Sequence, residues 1–195
     1  CCGFNSIGIV SAGGAGKVTA EWMINGEVNE DVFSLDITRF EKFHSETNFI
    51  IDRAAESLGN QYAMHWPYKQ QKTSRNIKTF PYHDLLKKEG ACFGQVAGFE
   101  SPLWYAIDGE KPEFKYSFGY QNWYKSAQYE TINTRKNVGF FELTPFAKFE
   151  IEGEAAYSSL QYLCSNDIKN NDGAITYTQM LNSKGGIEAD LSVTC

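Results

Sequence analysis

Ala174-Ile-Thr-Tyr-Thr-Gln-Met-Leu-Asn-Ser-Lys-Gly-Gly-Ile-Glu-Ala-Asp-Leu-Ser-Val-Thr194 is the stretch around which the rest of the chain is read. β-Branched and apolar residues alternate with polar ones on both sides of Asn182-Ser183-Lys184-Gly185, the pattern of two strands joined by a polar turn. A four-residue loop sets Leu181 against Gly186 and then pairs Met180 with Ile187, Thr176 with Leu191 and Ala174 with Val193, giving one largely apolar face. The same register sets Tyr177 opposite Asp190 and Gln179 opposite Glu188 on the other face. A phenol ring and a carboxylate within reach of each other make a platform for a flat, nitrogen-rich ligand. A merely solvated acid on the polar side of a half-buried hairpin is the ordinary alternative.

Upstream, Glu154 to Cys164 reads as an amphipathic helix with Ala156, Leu160 and Leu163 on one stripe, stopped by Ser165-Asn166-Asp167. In Val138 to Gly153, Phe141, Leu143, Phe149 and Ile151 alternate as strand faces on either side of Pro145, which interrupts any continuous strand. A helix from Ser126 carries Tyr129, Ile132 and Lys136. Pro81 to Gly90 predicts one short helix closed by Gly90, followed by a strand at Ala91 to Ala97. His83 and Asp84 are neighbours in sequence, so on a helix their side chains point apart and no catalytic dyad is expected. Two aromatic blocks, Gly98 to Tyr105 and Tyr116 to Tyr124, are assigned to core and interdomain packing.

Closer to the N-terminus, Tyr62 to Thr79 reads as a loop with scattered cations, and Asn48 to Leu58 as a helix ending at Gly59, with Arg53 and Glu56 on its wet side. His44 and His65 stand alone. Gly3 to Gly26 predicts a short strand or turn, a glycine-rich bend at Gly13-Gly14-Ala15-Gly16, and a helix that buries Val18, Trp22 and Met23 and stops at Gly26. A glycine-rich bend opening a helix can offer backbone N–H groups to electron-rich ligand atoms. The spacing is not Gly-x-Gly-x-x-Gly, so a stand-alone dinucleotide site is not expected here.

The totals narrow the class. With 195 residues, 42% of them hydrophobic and 15% aromatic, the chain can bury a sizeable core. A formal net charge of -6 without a Lys/Arg block argues against a nucleic-acid surface. No apolar run is long enough for membrane insertion and no signal-peptide order opens the chain. The five cysteines show neither Cys-x-x-Cys nor His at metal-ligand spacing, which predicts no zinc site and no disulfide framework. Cys1-Cys2-Gly3 at one end and a strand pattern at the other suggest a piece of a longer polypeptide.

Three sets of residues carry a resemblance. Tyr177-Thr-Gln-Met-Leu-Asn182 followed by Gly185-Gly-Ile-Glu-Ala-Asp-Leu-Ser-Val-Thr194 resembles the folate-binding stretch of the glycine-cleavage aminomethyltransferases, in the version fused to flavin-dependent dimethylglycine and sarcosine dehydrogenases. Cys2 to Ile9, Gly13 to Gly16 and Ala20 to Glu27 resemble the closing segment of the flavin domain of the same enzymes, and the aromatic blocks resemble their central domain. The resemblance implies an α+β chain in three parts: the end of a flavin-binding domain at residues 1–40, a central α+β linker domain at 41–120, and the start of an aminomethyltransferase-like folate domain at 121–195.

Carried over residue by residue, it assigns Ser6, Ile7, Gly8, Ile9 and Val10 to the rim of FAD, and Tyr177, Asp190 and Phe146 to tetrahydrofolate, with Asp190 as the catalytic residue that holds or polarises the folate. In such enzymes the flavin takes a hydride from an N-methyl amine to give an iminium, and tetrahydrofolate captures the one-carbon unit. A small-molecule amine is thus the implied substrate; the electron acceptor stays unassigned. The implied location is a bacterial cytoplasm or a mitochondrial matrix. The alternatives are a non-catalytic relative such as the regulatory subunit of pyruvate dehydrogenase phosphatase, or a free aminomethyltransferase, which the long stretch ahead of the transferase-like part disfavours.

Overall fold

The computed structural model describes residues 1–28 and 30–195. It is a mixed helix and sheet structure with two compact units, Cys1–Pro145 and Phe146–Cys195.

The first unit opens with α1 (Gly8–Asn25), which ends at Gly26 in a left-handed cap (φ 77°) whose N–H donates to the Trp22 carbonyl. Gly13-Gly14-Ala15-Gly16 lies inside this helix and forms no bend; the chain turns earlier, at Asn5 and Ser6. The expected buried face is also absent, since Trp22 is 50% and Met23 82% exposed. Three short 3₁₀ turns follow between Phe33 and Ser45.

Helix α2 (Thr47–Gln61) runs through Gly59 rather than stopping there. A glycine inside a helix costs only about 1 kcal/mol, which packing readily offsets. Its Arg53 and Glu56, read from the sequence as solvated, instead hold the following loop. Arg53 Nη2 donates to the Thr73 carbonyl at 2.7 Å, and Glu56 accepts from the backbone N–H groups of Lys72 and Thr73 at 2.6 and 2.8 Å. Burial pushes the Glu56 carboxyl up, but the bonds from Thr73 and Lys72 outweigh it and keep it below the usual glutamate range.

Helix α3 (His83–Lys88) ends at Gly90 (φ 86°), and β1 (Ala91–Val96) pairs antiparallel with β2 (Phe99–Tyr105), close to the predicted pattern. Phe80, Ala91, Cys92 and Trp104 form the apolar centre. Burial pushes the Cys92 thiol up to about 12, so it serves as a small apolar residue. Glu100 is buried to 1% exposure. Arg75 clamps it from the 66–79 loop through Nε at 2.7 Å and through Nη2, while Asn76 N–H adds a bond at 2.9 Å. A Cβ at Gly94 would lie 2.3 Å from Leu103 Cδ1 and 2.7 Å from Gln70 Cδ, so both side chains would have to move to admit one.

The aromatic blocks pack in part: Trp104 is buried, whereas Phe118 and Tyr120 are exposed. Phe114 stands edge-on to Trp104 and Trp123 and stacks on Tyr116, which stacks on Trp66. Against expectation, His83 Nδ1 lies 3.2 Å from Asp84 Oδ1, and its ring packs on Phe93 with centroids 4.3 Å apart. Helix α4 (Tyr124–Lys136) reaches back through Glu130, which accepts from Tyr105 N–H at 2.8 Å. The following residues, 137–145, form no strand.

In the second unit Phe149 and Ile151 likewise lie outside any strand. Helix α5 (Ala156–Leu163) leads to a hairpin of β3 (Ile175–Leu181) and β4 (Ile187–Thr194). Its core is Cys164, Ile168 and Val193, against which Leu160, Met180 and Leu191 pack. All five cysteines are free thiols. Among the described residues no helix is long and apolar enough to cross a membrane.

Candidate functional site

The hairpin is built from its inner face outward. Thr176, Thr178 and Val193 point inward and are buried. Thr178 Oγ1 accepts from Asn166 N–H at 3.1 Å, Asn166 Nδ2 donates to the Tyr177 carbonyl at 3.1 Å, and Ser165 N–H donates to the Gln179 carbonyl at 2.8 Å. The segment after α5 therefore covers the outer edge of β3 and locks it in place.

Pairing differs from the sequence-based register by two positions. Tyr177 faces Ser192, Gln179 faces Asp190, and Thr176 faces Val193. The cause is local. Asn182 Oδ1 accepts from Lys184 N–H at 3.0 Å and Gly186 N–H at 2.9 Å, so the loop takes in Gly186 and the strands close at Leu181 and Ile187. A bulge between Met180 and Leu181 adds the second step.

An even shift leaves every side chain on its original face. Tyr177 and Asp190 thus remain on the same, exposed face as diagonal rather than direct neighbours, with Gln179 beside them. Diagonal neighbours across an antiparallel pair stand roughly 7–8 Å apart at Cα, within reach of a tyrosine. Asp190 is the group that raises the pKa of the Tyr177 hydroxyl, with Gln179 acting the other way. Ring face, carboxylate and amide together can hold a planar ligand that donates through N–H and accepts through O. Gln179 was not singled out from the sequence; only the true register puts it opposite Asp190.

Phe146 lies at the end of the Thr144–Phe146 turn, 68% exposed, and among the described residues neither a ring contact nor a hydrogen bond joins it to Tyr177 or Asp190.

In the other unit, Ser6 is a left-handed turn residue (φ 72°), Ile7 is the residue before α1, and Gly8, Ile9 and Val10 form its first turn. No side chain caps this end, so the first-turn N–H groups stay open to an electron-rich ligand edge. Ile9 is fully exposed and Val10 83% exposed, apolar groups suited to a ring system rather than to water. No group of His, Cys, Asp and Glu among the described residues could hold a metal.

Two family models match in succession: the FAD dependent oxidoreductase central domain over residues 25–79 and the GCVT N-terminal domain over residues 82–195. The chain belongs to the family of FAD-dependent oxidoreductases joined to a GCVT domain. Among relatives, it is 41% identical to a formaldehyde-forming 4-methylaminobutanoate oxidase of Paenarthrobacter nicotinovorans over 98% of this chain and 23% of that protein. It is 35% identical to the mitochondrial regulatory subunit of pyruvate dehydrogenase phosphatase of Mus musculus, over 98% of this chain and 22% of that protein. It is 29% identical to mitochondrial sarcosine dehydrogenase of Mus musculus, over 99% and 24%. The chain thus spans about a quarter of the length of the curated relatives it matches.

Proposed function

We propose that the chain is part of a flavin- and folate-dependent enzyme that oxidatively demethylates a small N-methyl amino acid. Within it, residues 1–40 would close the flavin domain, 41–120 the linker, and 121–195 open the folate domain. The carrying observation is that Tyr177 and Asp190 stand as diagonal neighbours on the exposed face of a hairpin inside the GCVT match. Both cofactors suit the residues present. When bound, FAD supplies the hydride acceptor for the N-methyl carbon and tetrahydrofolate the nitrogens that take up the one-carbon unit.

This chain's residues bind and orient. Ser6, Ile7, Gly8, Ile9 and Val10 would line the flavin rim, with backbone N–H groups toward its electron-rich edge and the Ile9 and Val10 side chains excluding water. Asp190 would accept hydrogen bonds from N–H groups of the pterin and steady positive charge as the one-carbon unit arrives. Tyr177 would flank the ring. Phe146 would add apolar contact at the same cofactor. The substrate class rests on the relatives' names, both enzymes among which act on N-methylated amino acids.

A purely regulatory role has less support, since identity to the oxidase, 41%, exceeds that to the regulatory subunit, 35%, over the same share of the chain. In the intact flavoprotein, Asp190→Ala should leave amine-dependent flavin reduction within about twofold while methylene-tetrahydrofolate yield falls about tenfold or more and free formaldehyde rises, the loss expected of one charge-assisted contact. An undiminished methylene-tetrahydrofolate yield removes Asp190 from the reaction.

A further inference from the structure

The turn that leads into α1 holds Asn5 at φ 45° and Ser6 at φ 72°, two consecutive residues in the left-handed region that side-chain-bearing residues seldom adopt. Such a backbone persists where its surroundings hold it. From within, Ile7 N–H donates to the Phe4 carbonyl at 3.0 Å. From outside, Gln61 Nε2 donates to the Asn5 carbonyl at 3.0 Å, across 56 positions of sequence.

Gln61 is the last residue of α2, and α2 is anchored in turn. Arg53 reaches the Thr73 and Ser74 carbonyls and Gln95 Oε1 on β1, and Glu56 holds the backbone at Lys72 and Thr73. The tether therefore runs from a braced scaffold to an otherwise exposed turn. It also acts through a rigid unit. The Asn5 carbonyl and the Ser6 N–H belong to one planar peptide, so a donor fixed on the oxygen sets the direction in which that N–H points.

We infer that Gln61 is a positioning residue for the flavin rim: by holding the Asn5 carbonyl it aims the Ser6 N–H and the start of α1 at the flavin. This rests on the reading of Ser6 to Val10 as the rim. Gln61 touches no cofactor in this role; it sets the orientation of a backbone donor whose strength toward the flavin depends on direction. Gln61→Glu keeps the shape but replaces the donor with an acceptor, and Gln61→Ala removes the group.

The test uses the intact holoenzyme equilibrated with a redox dye at fixed potential. In both variants the ratio of oxidised to reduced flavin should shift about two- to tenfold and the visible flavin spectrum should change, as expected for a misdirected hydrogen bond, while the thermal midpoint of Gln61→Glu stays near that of the wild type. An unchanged ratio and spectrum in both variants overturns the inference. Ile9→Asp serves as the control for the rim itself. If it perturbs the flavin and the Gln61 variants do not, only the tether fails; if neither it nor the Gln61 variants have an effect, the rim reading fails with it.

Discussion

A carboxylate placed diagonally from a phenol on an open strand face changes what that phenol can do. Asp190 disfavours the phenolate at Tyr177, so the hydroxyl should ionise above the ordinary tyrosine value of about 10. NMR titration of the Tyr177 ring should show this, and Asp190→Asn should bring the transition back down toward about 10. A transition that does not move on that substitution means the two side chains do not meet. That pair was legible in the sequence because alternation alone puts both residues on one face. Gln179 was not, since its place opposite Asp190 depends on a loop that takes in Gly186 and on a bulge, neither of which period-two patterning encodes.

Among elements, a buried ion pair joins the 66–79 loop to the β1–β2 hairpin through Arg75 and Glu100. Burial pushes the Glu100 carboxyl up, but the bonds from Arg75 and Asn76 and the Arg75 charge prevail and hold it below the usual range. A carboxyl whose pKa is lowered on folding contributes stability that is present above its unfolded value, about 4.3, and lost as pH falls through the folded one. Thermal melts of the first unit should therefore drop in midpoint as pH is lowered from about 5 toward 3. Arg75→Met should cost about 3 kcal/mol at neutral pH by leaving a buried charge unpaired, and should flatten that acid dependence. A mutant as stable as the wild type at pH 7 contradicts this assignment. The short helix α3, strand β1 and helices α4 and α5 followed from local punctuation such as Gly90 and from helical spacing. The Arg75–Glu100 clamp joins residues 25 positions apart, and the scattered cations of that loop give no local sign of which one turns inward. Helix α1 was misjudged at its start for a related reason: four residues rich in glycine look like a bend, yet a helix tolerates them when the chain has already turned at Asn5 and Ser6.

At the scale of the molecule, each unit carries one of the two proposed sites, the start of α1 in Cys1–Pro145 and the β3–β4 hairpin in Phe146–Cys195. The matched domains meet within a few residues of each other, at 79 and 82, so a single chain supplies parts of both. What ties the account together is recognition of a reduced pterin by Asp190. Equilibrium titration of a chemically stable reduced folate into the intact flavoprotein, wild type and Asp190→Asn side by side, tests it most directly. Loss of a charge-assisted hydrogen bond should weaken binding by about tenfold to a hundredfold while leaving the flavin spectrum unchanged. Equal affinity of the two proteins for the folate would contradict the account.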